Sequence, residues 1–354
     1  MSVLKLMRPD LALIQTYSMN HESCKHKLDA NELPWSPITS TDMALNYYPT
    51  RAAQQELQRQ WAHCYQVNPE ELLLTRGSDD GIDLLMRFFL RAGLDSILQC
   101  PPTFSMYAFY AGLQQAGVID CPLQENDTDF QPSYEAIQES WRPNCKLIML
   151  CRPNNPTGNL IELAAIANLC RQFNNKAMIV VDEAYIEFSD APSAATLISG
   201  FDNLIVLRTL SKAYGLAGLR LGAVLAQSQV IQALQTIMAP FTLSTTVINL
   251  SSWVLKDKDW LIQTKQRIAF LRTELIAGLQ SSPWIDKIYP TVTNFVLIKT
   301  LYAKTLAQWF KQHGIAVRFF ADHGLLPHHL RITVGSEHQN AQLLSTLTLF
   351  SGER

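Results

Sequence analysis

Three short apolar runs, each closed by a cluster of polar residues, dominate the pattern of this chain. Lys146–Leu160 reads KLIMLCRPNNPTGNL, and its apolar stretch ends in Asn154-Asn155-Pro156-Thr157-Gly158. Ala177–Phe188 reads AMIVVDEAYIEF and ends in Asp182-Glu183-Ala184-Tyr185. Leu204–Leu207 (LIVL) leads into LRTLSKAYGLAGLRLG at Leu207–Gly222. Runs this short, β-branched or rich in Leu, predict strands buried on both faces of a parallel sheet. Polar residues at the carboxyl ends of such strands usually line a ligand crevice. An asparagine, an aspartate with a tyrosine, and a lysine therefore fall at three successive strand ends. A further apolar stretch, Leu72–Leu74, precedes Arg76-Gly77-Ser78-Asp79, and Gly81–Leu90 continues as an amphipathic helix. Ser78 is the expected N-cap, with the first free amides of that helix pointing outward.

The same patterning divides the chain. Residues 1–34 have mixed polarity and are expected to form an arm laid over the body. Residues 35–245 alternate strands with helices, as in an open α/β sheet. Pro240 interrupts the chain, and Asn249–Leu279 predicts one long helical stretch that links the two lobes. Residues 246–354 comprise this linking helix and a smaller α/β domain. Its expected strands are Phe295–Ile298, Val317–Phe320 and Arg331–Val334; its helices are Leu306–Gln312 and a closing Ser336–Phe350. A chain of 354 residues exceeds one ordinary core, in keeping with two domains. No internal repeat, low-complexity stretch or Gly/Ser linker interrupts it.

Composition narrows the partners. With 47% hydrophobic residues and a formal net charge of −2, the chain reads as a packed globular protein. It carries no basic patch or recognition motif for nucleic acid. Seven scattered cysteines with no C-x-x-C pair favour reduced thiols and a cytoplasmic protein. Eight histidines lack metal-ligand spacing, so no metal is expected, and His328-His329 reads as a surface pair. The N-terminus lacks a basic-then-apolar signal layout, and no apolar run of about 18 residues predicts a membrane span.

Candidate chemistry centres on Lys212. Thr209 and Ser211 precede it, Gly215 and Gly218 follow, and Arg220 lies eight positions on. A lysine before a Gly-rich turn is common on protein surfaces. Together with two hydroxyls and an arginine, it is also a kit for holding a phosphorylated aldehyde as a Schiff base. The amine would make the covalent bond, the arginine and hydroxyls would take the phosphate, and the glycines would let the backbone approach.

The order Asn155, Asp182, Tyr185, Lys212, Arg220 resembles the fold-type I aminotransferases, which use pyridoxal 5′-phosphate. Further motifs make the chain similar to the histidinol-phosphate aminotransferases: ANE at Ala30–Glu32, YYP at Tyr47–Pro49, RGSDDGIDLL at Arg76–Leu85, CPPTFSMY at Cys100–Tyr107, NNPTG, DEAYIEF, RTLSKAYGLAGLRLG, and LRITVG at Leu330–Gly335. The resemblance implies a fold-type I α/β architecture, with a large, mostly parallel-sheet domain and a smaller α/β domain. Lys212 is then the catalytic residue. Asp182 is the carboxylate beside the pyridine nitrogen, where it favours the protonated ring. Asn155 and Tyr185 hydrogen-bond the ring's phenolic oxygen. The phosphate falls to Thr209, Ser211, Arg220 and the backbone N–H groups of Ser78 and Asp79, while Asp79 and Asp80 must turn their carboxylates away. Tyr48 of the partner subunit would also reach the phosphate, which implies a homodimer. Phe104 stacks on the ring where the family often has tyrosine.

On the substrate side the resemblance assigns Arg331 to the carboxylate, Arg318 and Tyr17 to the phosphate, and Glu32 to the imidazole. The ANE arm departs from the family, since Leu33-Pro34-Trp35 replaces the commoner Asn-Pro. The implied reaction carries the amino group of L-histidinol phosphate to 2-oxoglutarate, yielding imidazole acetol phosphate and glutamate in histidine biosynthesis. Arg331 and Arg318 must accept both oxyanions. The scaffold leaves open an aromatic or broad-range aminotransferase, and a lyase that decarboxylates phosphothreonine. A transcription regulator on this fold would need an added helix-turn-helix domain, for which no segment before Tyr48 is spare.

Overall fold

The computed structural model describes residues 26–28, 31, 33–35, 49–320 and 324–352. Its elements begin with β1 (His26–Lys27), α1 (Arg51–Tyr65), β2 (Leu72–Thr75), α2 (Ser78–Phe89), β3 (Ser96–Gln99), α3 (Met106–Leu113) and β4 (Gly117–Asp120). A small hairpin of β5 (Gln124–Glu125) and β6 (Phe130–Gln131) follows. Then come α4 (Tyr134–Ser140), β7 (Cys145–Cys151), α5 (Leu163–Gln172), β8 (Met178–Asp182), β9 (Leu204–Thr209), β10 (Gly222–Ala226) and α6 (Ser228–Gln235). Helices α7 (Thr245–Lys256) and α8 (Lys258–Gln280) lead to β11 (Lys287–Ile288), β12 (Phe295–Lys299) and α9 (Ala303–Gln312). The last elements are β13 (Ile315–Ala316), β14 (Arg318–Phe319), β15 (His329–Thr333) and α10 (Glu337–Thr348).

The three apolar runs form β7, β8 and β9, which lie side by side and parallel. They sit within a seven-stranded sheet of order β2-β10-β9-β8-β7-β3-β4, in which β10 alone runs against its neighbours. β8 shows why these segments become central strands. Ile179 and Val181 enter one helical layer with α1, α5 and α7, and Val180 enters the other with α2, α3 and α6. All three side chains are fully buried, worth roughly 2 kcal/mol each. The continuous apolar run is thus a strand with two buried faces, and its polar residues emerge only at the end.

The second sheet is four-stranded and antiparallel, of order β11-β12-β15-β14. Residues of α8, α9 and α10 cover it, and the same apolar cluster includes Ala184, Tyr185 and Ala213 at the ends of the large sheet. β1 pairs in parallel with β13, and Leu28 is buried in that cluster.

Four expectations are corrected. The long helix expected over Asn249–Leu279 is two helices. Asp257 has ψ 93 between them, and its side chain caps α8 by accepting from the N–H groups of Asp259 and Trp260. The strand expected over Val317–Phe320 is confined to Arg318–Phe319, which pairs with β15, and a separate strand just before it, Ile315–Ala316, pairs with β1. Ser78 is the first helical residue of α2 and not its cap; Gly77, at φ 83, takes the cap position. His329 is buried in β15, where its Nε2 meets the hydroxyl of Tyr289 at 3.1 Å. Burial holds its imidazole down, at a pKa of about 4. Among the described residues, no helix is long and apolar enough to cross a membrane.

Candidate active site

The ends of β7, β8 and β9 and the start of α2 line a cavity, open to solvent on one side, of about 470 Å³. Asn155, Asp182, Tyr185, Thr209, Ser211, Lys212 and Arg220 line it, joined by Ser78 and Asp79 of α2 and by Phe104. Cys151 and Ala184 complete the wall. Tyr17, Glu32 and Tyr48 lie outside the described residues.

Asp182 ends β8 and is 2% exposed. Its Oδ2 accepts from the Tyr107 hydroxyl at 2.8 Å and its Oδ1 from the Ala184 N–H at 3.1 Å. Burial pushes its pKa up to about 6, Asp79 and Glu183 push the same way, and the two hydrogen bonds oppose the rise. Burial is thus the largest influence on this carboxylate, and a positive charge brought into the cavity would offset it. Neither Tyr107 nor Ala184 was assigned from the sequence. Tyr107 lies three positions beyond Phe104 in the CPPTFSMY motif, and its ring packs edge-on against Phe104 at 5.6 Å. A tyrosine on the inner face of a short helix carries the same signal as any core aromatic.

Glu183, next to Asp182, turns away from the cavity. Its Oε1 is 2.7 Å from Arg152 Nη1 and its Oε2 is 2.7 Å from Arg208 Nη1. Arg208 also pairs with Glu187 at 2.7 Å and stacks over the Tyr65 ring at 4.0 Å. The four charges are almost fully buried and tie together the ends of β7, β8 and β9. The DEAY motif thus serves two purposes, one residue facing the cavity and the next fixing the scaffold.

Lys212 follows β9 in a turn closed by the Gly215 N–H to its carbonyl at 3.0 Å. Buried Ser211 and Ala213 flank it, and its Nζ lies 5.6 Å from the centre of the Tyr185 ring. The Tyr185 hydroxyl accepts from Asn155 Nδ2 at 3.5 Å and from Asn31 Nδ2 at 3.1 Å. Burial pushes the tyrosine's pKa up to about 12, which keeps the phenol protonated. Asn31 belongs to the ANE motif, from which sequence reasoning chose Glu32.

The anion cradle lies at the other end of the cavity. Thr209 Oγ1 bonds Ser211 Oγ at 2.9 Å, and Arg220 Nη1 reaches the same oxygen at 3.4 Å. The backbone of Gly222 abuts the start of α2 so closely that a Cβ there would fall 2.3 Å from the Gly77 carbonyl carbon and 2.5 Å from Ser78 N. Asp80 turns away as expected, its carboxylate bound to the N–H and guanidinium of Arg76 at 2.9 and 2.8 Å. Asp79 does not; its Oδ2 meets Arg220 Nη2 at 3.2 Å. Helix amides, two hydroxyls and a guanidinium suit a phosphate. Together with the buried carboxylate and the lysine, they fit a phosphorylated pyridine aldehyde.

On the far side, Arg331 and Arg318 are direct cross-strand partners on β15 and β14, so both project from one face of the small sheet. Arg331 is 8% exposed and its Nη1 donates to Asn155 Oδ1. Arg318 is half-buried, and its guanidinium lies 6.0 Å from the centre of the Phe320 ring.

Comparison with known proteins adds independent findings. The profile of aminotransferase class I and II matches residues 15–347. The chain is 52% identical to histidinol-phosphate aminotransferase 1 of Legionella pneumophila (strain Lens), over 100% of its own length and 97% of that protein. It is 37% identical to histidinol-phosphate aminotransferase of Xanthomonas euvesicatoria pv. vesicatoria, over 98% and 97% of the two chains. Histidinol-phosphate aminotransferase from Sinorhizobium meliloti, solved in complex with pyridoxal-5′-phosphate, superposes with a TM-score of 0.85 at 21% identity, covering 96% of each chain. L-threonine-O-3-phosphate decarboxylase from Porphyromonas gingivalis superposes at 0.75 with 20% identity, over 91% of this chain and 98% of that one.

Proposed function

The chain belongs to the class I and II aminotransferases, and from that premise we propose that it moves the amino group of L-histidinol phosphate to 2-oxoglutarate, with pyridoxal 5′-phosphate as cofactor. The products are imidazole acetol phosphate and glutamate, in histidine biosynthesis. The substrate rests on the 52% identity along the whole chain to a relative of that name. The likeness to the decarboxylase concerns the fold alone. The observation that carries the reaction class is the shared cavity of Lys212, a buried Asp182 and the Arg220 cradle.

When bound, the cofactor supplies an aldehyde to receive the amine and an electron-poor ring to take up the electrons released at the substrate carbon. Asp182 holds a proton on the ring nitrogen, which compensates the carboxylate's burial. Phe104 presents an apolar face to the ring. Ser78, Asp79, Thr209, Ser211 and Arg220 hold the phosphate through backbone amides, hydroxyls and guanidinium. Lys212 Nζ would take the substrate's α-proton as a general base and then serve as the general acid that gives it back. Arg331 and Arg318 bind the phosphate of one substrate and the carboxylate of the other. Tyr17 would close over the substrate phosphate, and Glu32 would face the imidazole.

The same reading includes a cytoplasmic homodimer in which Tyr48 of the partner subunit completes the phosphate site. A groove of about 1100 Å³ opens onto Arg220 beside Arg76, Tyr110 and Thr242, which leaves room for such an approach. Light scattering should return twice the 39.9 kDa of one chain.

A donor screen tests the function. Purified protein with pyridoxal phosphate and 2-oxoglutarate should form glutamate fastest from histidinol phosphate. Faster turnover of phenylalanine would select the aromatic aminotransferase, and keto-acid-independent release of carbon dioxide from phosphothreonine would select the lyase. Lys212→Ala should abolish both turnover and the visible band of bound cofactor; retained activity would refute its assignment.

A further inference from the structure

Tyr185 has more partners than its ring-oxygen role requires. Two carboxamides converge on its hydroxyl, Asn31 Nδ2 at 3.1 Å and Asn155 Nδ2 at 3.5 Å. An amide NH₂ only donates, so both bonds use lone pairs of the phenol oxygen and leave its proton for a third direction. Tyr185 lines the cavity that contains Lys212.

Which end of the Asn31 carboxamide faces Tyr185 is fixed by Thr333. Its Oγ1 accepts the Asn31 backbone N–H at 3.1 Å, and its own proton goes to Asn31 Oδ1 at 2.8 Å. Reversing the amide would leave that threonine proton without an acceptor. The Asn31 carbonyl in turn accepts from Asn294 Nδ2 at 2.9 Å. Asn31 is 1% exposed and held at φ 55, a left-handed conformation that asparagine tolerates better than most side chains. The two carboxamides are not equivalent. Asn155 is shared with Arg331, which donates to its Oδ1, and its bond to Tyr185 is at the long limit of hydrogen bonding. Asn31 has no charged hydrogen-bond partner among the described residues, and its bond to Tyr185 is the shorter of the two.

We propose that Asn31 is a positioning residue of the reaction: its carboxamide occupies the acceptor side of the Tyr185 hydroxyl and so commits that hydroxyl to donate to the ring oxygen of the bound cofactor. The inference rests on the function proposed above and deepens it. Because Asn31 is clamped to Thr333 of β15 and to Asn294, the arm and the small sheet thereby set the proton affinity of the chromophore at Lys212. The other titratable groups bearing on Tyr185 are Arg331, Cys151 and Asp182, with Lys212 against its ring.

The test is a pH titration of the visible absorption band of the cofactor-loaded protein, with cofactor affinity measured in parallel. A hydrogen bond donated to the ring oxygen stabilises its anionic form and lowers the pH at which the chromophore takes a proton. Asn31→Asp preserves size and backbone preference but turns the donor into an acceptor that competes for the Tyr185 proton. Its midpoint should rise by about one pH unit or more. Asn31→Gly preserves the positive φ and removes the donor, and should give a smaller rise. In a Tyr185→Phe background, Asn31→Gly should shift the midpoint no further. An unchanged or lowered midpoint in Asn31→Asp would overturn the proposal. So would an Asn31→Gly shift that persists without the Tyr185 hydroxyl, or an effect confined to cofactor affinity. Failure of the parent protein to develop any visible band would remove the functional reading itself, and this inference with it.

Discussion

Asp182 shows how a functional side chain works against the stability of its own fold. Its pKa of about 6 lies above the ordinary 3.8, chiefly through burial. Between those values the folded chain keeps a proton that the unfolded chain has released. The contribution of Asp182 to stability is therefore greatest below about pH 3.8 and declines as pH rises toward 6. In protein stripped of cofactor, Asp182→Asn should remove the decline and stabilise the fold at pH 7.5 by on the order of 2–3 kcal/mol. Urea unfolding at pH 7.5 and pH 4 measures this, and the gain should vanish at the lower pH. Activity should move the other way, falling by about a hundredfold or more, since loss of a preorganised charge facing a reacting ring costs on that scale. Asp182 was legible in the sequence because an acid terminating an apolar strand has few structural uses. Tyr107 was not, because its hydroxyl bond to Asp182 spans 75 residues and leaves no local pattern. Asn31 was half-legible: its motif stood out, but its neighbour Glu32 carries the charge that attracts a catalytic reading.

At the scale of elements, the close contact between β10 and α2 does for the phosphate what Asp182 does for the ring. The Gly222 backbone packs against Gly77 and Ser78 N, where an added Cβ would meet main-chain atoms at 2.3–2.7 Å. Neither strand nor helix can yield there without moving the amides that face the cradle. Gly222→Ala should cost about 1–3 kcal/mol of stability by overpacking and weaken cofactor binding beyond that of a matched surface variant. Differential scanning calorimetry with and without cofactor separates the two effects. The strands themselves were readable in advance, since β7, β8 and β9 follow directly from three apolar runs. Their limits were less so. The break at Asp257 and the split between β13 and β14 depend on a capping side chain and on two different pairing partners. A hydrophobic pattern along one segment records neither.

At the scale of the molecule, the small sheet is bolted to the hairpin of β5 and β6 through a cluster in which Tyr289, His329 and Phe130 are buried. The Tyr289 hydroxyl donates to Glu125 Oε1 at 2.6 Å and meets His329 at 3.1 Å, with Phe130 packed on both rings. His329 shares β15 with Arg331 two residues on, so this cluster anchors the strand that presents the substrate arginine. Its pKa of about 4 lies below the ordinary 6.5. Between those values the unfolded chain binds a proton that the folded chain refuses, so stability present above pH 6.5 is lost as pH falls toward 4. This slope opposes that of Asp182 over an overlapping window. Cofactor-free protein should therefore vary little in stability between pH 4 and 6.5, and His329→Gln should expose the Asp182 slope alone. A denaturation series across that range checks both statements. Sequence reasoning missed this because two adjacent histidines look exposed until a strand assignment puts one of them inside.

The pairing of Arg220 with Asp79 makes anion affinity at this site a difference and not a sum. A phosphate that claims the guanidinium must displace a competitor tethered to the same fold, present at a fixed effective concentration that dilution cannot lower. The two side chains are 51% and 35% exposed, so the internal contact is weak and screened by salt. Asp79→Asn should tighten inorganic phosphate binding by about two- to fivefold at low ionic strength, with the advantage shrinking as salt is added. Titration calorimetry at two salt concentrations would read it. A carboxylate at the mouth of a phosphate site thus acts as a threshold, admitting ligands that bring enough charge to win the exchange and turning away weaker anions.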